Sequence, residues 1–67
     1  MTKQQIGKAI ATARKQQGKT AYLVCKQAGI AYHQLRYIEK GTANYTVECL
    51  LQVCKTLDLE INIDAAL

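Results

Sequence analysis

Residues 19–41 read KTAYLVCKQAGIAYHQLRYIEKG, and the reading of this stretch decides the fold. Thr20 suits the N-cap of a helix whose first turn is Ala21, Tyr22 and Leu23, because a threonine hydroxyl accepts from a backbone N–H that the first turn leaves free. Val24, Cys25 and Ala28 then form an apolar stripe at helical spacing. Gly29 stops the helix, since glycine enters the left-handed conformation without a steric cost and leaves room for a second helix to cross closely. Ile30 follows as an apolar plug. A second helix is predicted over 31–39, with Ala31, Leu35 and Ile38 turned inward at spacings of four and three. Tyr32, His33, Arg36 and part of Tyr37 face outward. Two short helices around a tight glycine turn make a helix-turn-helix unit.

The flanking segments read as the scaffold of that unit. Thr2 caps a first helix over 3–17, with Ile6, Ala9, Ile10 and Ala13 as its apolar stripe and Lys8, Arg14 and Lys15 mostly facing solvent. Gly7 either permits a close helix crossing or sits on the surface at a small cost in helix propensity. After Gly41, residues 42–45 form a polar loop. Thr46 caps a fourth helix over 47–57, whose broad apolar face of Val47, Leu50, Leu51, Val53, Cys54 and Leu57 closes the core.

The tail is open to two readings. In residues 58–67, Leu59, Ile61 and Ile63 alternate with Glu60, Asn62 and Asp64, a strand pattern. A lone strand leaves its edge and apolar face unsatisfied, so the expected partner is the same strand of a second copy, paired antiparallel across a two-fold axis. A short fifth helix starting near residue 58 is the alternative. The expected fold is therefore all-α, with four or five helices in one domain over 1–67, the motif at 20–39 and a possible dimerisation strand through Leu59, Ile61 and Ile63.

Charge is distributed unevenly. The chain has 67 residues and a formal charge of +4. Up to residue 41, Lys3, Lys8, Arg14, Lys15, Lys19, Lys26, Arg36 and Lys40 stand against Glu39, whereas Lys55 stands against Glu48, Asp58, Glu60 and Asp64 beyond it. The basic part is the part that holds the two-helix unit, which favours a polyanionic partner on that side. A helix-turn-helix unit can place its second helix in the DNA major groove, so the two observations agree.

Composition narrows the classes further. At 49% hydrophobic and 21% charged, the chain can build a core. A domain of this size buries only about 60% of the surface its unfolded form exposes, which gives self-association value. No apolar run is long enough to cross a bilayer and residues 1–11 lack the hydrophobic segment of a secretory signal, so a cytoplasmic chain without a membrane partner is expected. Cys25, Cys49 and Cys54 form no tight pair and have no second histidine nearby, so no metal and no other cofactor is expected. They read as buried reduced thiols, with redox sensing as the alternative. One histidine and no recognisable nucleophile motif argue against an enzyme.

From about residue 6 to residue 57 the chain resembles the phage repressor and Cro-like helix-turn-helix family, also called the XRE family. The matching residues are Ile6-Gly7-x3-Ala11 with Ala13-Arg14, Gly18-x-Thr20, Val24-Cys25-x2-Ala28-Gly29-Ile30, Ile38-Glu39-x-Gly41 and Leu50-x2-Val53-Cys54-x2-Leu57. Cys25 and Cys54 stand where the family usually has alanine. The resemblance implies that helix 31–39 is the recognition helix, with Tyr32, His33 and Tyr37 at positions that commonly face base edges and Arg36 reaching a base or a phosphate. Arginine can donate two hydrogen bonds to guanine. Packing for Tyr37, plain exposure for His33 and an ion pair with Glu39 for Arg36 are the structural alternatives. Glu39 is expected to cap or brace the motif.

Lys19, Thr20 and Ala21 at one helix start, with Lys40, Thr42 and Asn44 after the recognition helix, are the expected backbone contacts. Many family members carry a phosphate-clamping glutamine where this chain has Ala21, so the backbone N–H groups and Lys19 would have to serve there. The resulting expectation is a regulator of bacterial or phage origin that binds double-stranded DNA as a homodimer on an inverted-repeat operator, more as repressor than activator. The alternatives are a protein-interaction module that kept the fold with little DNA affinity, or the antitoxin of a toxin–antitoxin pair, either of which implies a protein partner.

Overall fold

The computed structural model describes residues 2–42 and 44–60. They form four helices: α1 (Lys3–Gln16), α2 (Ala21–Ala28), α3 (Tyr32–Lys40) and α4 (Val47–Thr56). Three of these start at a threonine whose hydroxyl accepts from the third residue onward: Thr2 from Gln5 N–H, Thr20 from Leu23 N–H and Thr46 from Cys49 N–H, each at 3.1 Å. At α1 the cap is reciprocal, because the Thr2 N–H donates to Gln5 Oε1 at 2.8 Å. The α3 start differs. Ala31 has the extended backbone of a cap residue but no side chain to accept with.

Gly29 takes φ 71°, and both its own N–H and that of Ile30 return to the Cys25 carbonyl, so the chain leaves α2 in a turn that only a residue comfortable at positive φ closes cheaply. At the end of α4 the same backbone turn is made by Asp58 at φ 58°. Its N–H donates to the Lys55 carbonyl at 3.2 Å and the Leu59 N–H donates to the Cys54 carbonyl at 2.7 Å. Leu59 is thereby folded back against the core. The expected strand pattern otherwise falls on Ile61 and Ile63, which lie outside the described residues.

The core comprises Ile10, Val24, Cys25, Ala28, Leu35, Ile38, Leu50, Val53, Cys54 and Leu57. In this arrangement α1 packs chiefly on α3 and α2 on α4, while α3 also meets α2 and α4. Four apolar expectations need correction. Ala9 is exposed because the buried arc of α1 runs through Gly7 and Ile10. Ala31 is exposed because it caps α3 from outside the helix. Val47 and Leu51 are 70% and 51% exposed, since Leu50, Val53, Cys54 and Leu57 already fill the inward face of α4.

Gly7 is buried, which settles its two readings. A Cβ at that position would meet the Ile38 carbonyl oxygen and would stand 2.8 Å from that of Glu39. The backbone of α1 therefore lies directly on the end of α3.

Candidate nucleic-acid interface

The position of α3 is fixed against α1 by one ion pair. Arg14 of α1 donates through Nε to Glu39 Oε2 at 2.8 Å and through one terminal nitrogen to Oε1 at 3.1 Å. Its other terminal nitrogen donates to the Lys19 carbonyl at 3.1 Å, tying in the α1–α2 connection. The side chains are 13% and 8% exposed, so the pair is largely withdrawn from water. Hydrogen bonding to Glu39 raises the guanidinium pKa above its ordinary value, and desolvation offsets part of that rise. Arg14 is thus a brace, which corrects its expected solvent-facing placement, and Glu39 is engaged by Arg14 instead of Arg36.

The neighbouring face of α3, which begins at Tyr32 beside the ion pair, is left open. Tyr32 is 51% exposed, His33 and Lys40 are exposed, and Arg36 and Tyr37 are half-buried. The rings of His33 and Tyr37 meet edge to face, one helical turn apart, with centroids separated by 5.9 Å and planes inclined at 69°. That contact gives each ring a defined orientation without burying it. Among the described residues, the side chains of Tyr32, His33, Arg36, Tyr37 and Lys40 make no hydrogen bond, so their donors and acceptors stay available. The structure brings these five residues together on a single helix.

The expected backbone-contacting residues are more dispersed. Thr20 is exposed but its hydroxyl is committed to capping α2, and Ala21 is half-buried beside it. The Lys19 amine donates to Gln27 Oε1 at 3.1 Å and to the Thr56 carbonyl at 3.4 Å, which holds it against the end of α4. The Thr42 hydroxyl donates to the Tyr37 carbonyl at 3.3 Å, and Asn44 is exposed. Tyr22, 69% exposed in the first turn of α2, is a further aromatic on this part of the molecule that the sequence reading did not single out. Its place outside the Val24, Cys25 and Ala28 stripe was the available signal.

The thiols divide by depth. Cys25 and Cys54 are buried and Cys49 is half-buried, all three free. Desolvation raises the pKa of both buried thiols. Among the described residues no cluster of three or more His, Cys, Asp or Glu side chains is placed to hold a metal ion, and no helix is long and apolar enough to cross a membrane.

No protein-family model matches the sequence, and no curated protein matches it. Solved structures do match the fold. A structure described as MDT protein superposes with a TM-score of 0.85 at 23% identity, over 98% of this chain and 93% of that one. A chain from the structure of a HipA-HipB-O2-O3 complex also gives a TM-score of 0.85, at 21% identity and with the same two coverages. The chain therefore shares a small all-helical fold with these proteins.

Proposed function

We propose that the chain is a sequence-specific regulator that binds double-stranded DNA as a homodimer and represses by occupying its operator. The observation that carries this reading is the combination of a fixed helix and an open face on α3. Arg14 and Glu39 lock the helix to α1 at the edge of that face. Beside them Tyr32, His33, Arg36, Tyr37 and Lys40 present polar and aromatic groups that make no side-chain hydrogen bond among the described residues. A rigid helix with such a face suits the major groove, where base edges are read by hydrogen bonds and by apolar contact with the thymine methyl.

In this reading Arg36 and His33 supply base contacts, Tyr32 and Tyr37 supply methyl or phosphate contacts, and Lys40 and Asn44 lie with the backbone. The exposed lysines of the basic part, among them Lys8, Lys15 and Lys26, give salt-dependent affinity. Two subunits would present their α3 helices to half-sites about 34–36 Å apart. The reading places the protein in the cytoplasm and assigns it no catalytic step and no cofactor.

A second reading adds a protein partner, as for an antitoxin. Likeness to a chain from a HipA-HipB-O2-O3 complex favours it, since that structure is a multi-component assembly. Selection from a random duplex-DNA library, repeated at two salt concentrations, separates the readings. Enrichment of an inverted repeat supports the operator-binding dimer. No enrichment, with residual binding lost uniformly as salt rises, removes the recognition-helix assignment and leaves the protein-partner reading.

A further inference from the structure

The exposed side of α4 has a composition that neither the core nor the α3 face explains. Val47 and Leu51 lie four residues apart and are 70% and 51% exposed. Lys55, four residues further on, extends the same ridge, and Glu48 sits beside it one residue from Val47; both charged residues are exposed. Glu48 is in the first turn of α4 and Lys55 in the last, each complementing the helix dipole at its own end. The ridge therefore has an acid near one end, an apolar middle and a base near the other.

From this we infer that α4 docks on α4 of a second copy of this chain, antiparallel about a two-fold axis passing near Leu51. Such a contact is isologous, so each residue pairing occurs twice. The axis sets Leu51 against its own counterpart and lays Val47 along the aliphatic stem of the partner subunit's Lys55. It also brings Glu48 within reach of the partner subunit's Lys55 amine. Packing two ridges of four-residue spacing is a common helix–helix geometry. Charge complementarity selects a second copy over DNA, because Glu48 repels phosphate. It also selects antiparallel over parallel, because parallel pairing sets Glu48 against Glu48 and Lys55 against Lys55.

The contact has a small apolar centre, short of the roughly 1,200–2,000 Å² that stable interfaces bury, so it is a concentration-dependent association. It does not depend on the DNA-binding reading and is measured without DNA. The test is sedimentation equilibrium on the full chain over a range of concentrations, with circular dichroism to verify folding. Leu51→Glu, a good helix former at a half-exposed position, is expected to weaken association on the order of tenfold with helicity retained.

Glu48→Lys alone and Lys55→Glu alone are each expected to weaken it by about three- to tenfold, and the double exchange to restore it. Wild-type association that Leu51→Glu leaves unchanged overturns the proposal and assigns the dimer to another surface. So does a wild-type chain that is monomeric throughout, or a double exchange that fails to rescue the single variants. Dimerisation through another surface leaves the homodimeric DNA-binding reading standing, whereas a chain monomeric throughout counts against its homodimer as well; base recognition by α3 is read separately, from operator selection.

Discussion

Arg14 and Glu39, 25 residues apart in sequence, are joined by a two-pronged ion pair that ties α1 to the end of α3. Neither residue belongs to the open face of α3, yet both determine where that face points. Removing Arg14 leaves a carboxylate in a nearly dry site, the costlier way to break such a pair. Arg14→Ala is therefore expected to lower stability by about 3 kcal/mol, or roughly 12–24 °C in midpoint temperature. Arg14→Lys should recover only part of this, because an ammonium cannot reproduce the planar fork that reaches both Glu39 oxygens and the Lys19 carbonyl. Thermal unfolding of the two variants, side by side, checks both statements.

Gly7→Ala would ordinarily favour a helix by about 1 kcal/mol. Here the added methyl meets backbone carbonyls at the end of α3, which cannot rotate away as a side chain can. The expected result is net destabilisation by about 1–3 kcal/mol, measured by urea unfolding. An unchanged or higher midpoint would show that α1 and α3 separate at little cost.

At Asp58 the opposite sign is expected. Asp58 holds a left-handed conformation that the ends of the other three helices assign to glycine. Asp58→Gly relieves that strain, with an expected gain of about 0.5–1 kcal/mol in the same assay.

Binding should separate the two kinds of cation on α3. Arg36→Ala is expected to relax the selected sequence at one or two positions, at about 1–3 kcal/mol of discrimination. Lys40→Ala should weaken binding to all sequences alike and reduce the salt slope by about one unit. If both variants change only the salt slope, Arg36 contacts the backbone and does not read bases.

The thiols give a pH signature. Burial raises the pKa of Cys25 and Cys54, so the folded state retains their protons where the unfolded state loses them. Their contribution to stability is full below the unfolded thiol pKa of about 8.5 and is lost as pH rises through the folded values. The stability–pH profile should therefore fall more steeply above that point in the wild type than in a Cys25→Ala/Cys54→Ala variant. In the native protein, Cys49 should be alkylated before the other two.

Much of the fold was legible because its signals are local. Thr2, Thr20 and Thr46 each mark a helix start, and Val24, Cys25, Ala28, Leu35 and Ile38 are buried as their spacing requires. On α4 the expected stripe is too wide: Leu51 lies about 100° round the helix from Leu50, far enough to separate solvent from core. The open face of α3 was legible as a face, but the brace at its edge was hidden, because an arginine on a helix ordinarily keeps its charge in water. Spacing held the clue: Gly7, Ile10 and Arg14 share one side of α1. What no local pattern could supply was the partner, since Glu39 lies on another helix.

Gly7 of α1 rests on the carbonyls at the end of α3, and the backbone of Gly41 closes against that of Gln4, where an added Cβ would stand 2.9 Å from the Gln4 Cα. With main chain on main chain at two successive points, the two helices have no side-chain cushion through which to slide. On the DNA-binding reading, the protein is then the stiff member of the complex. A half-site whose groove does not fit α3 must be accommodated by bending or twisting of the duplex, at an energy set by the stacking of base steps that the protein never touches. Operator preference would accordingly extend beyond the bases within reach of Arg36 and His33, into a preference for how readily the intervening DNA yields.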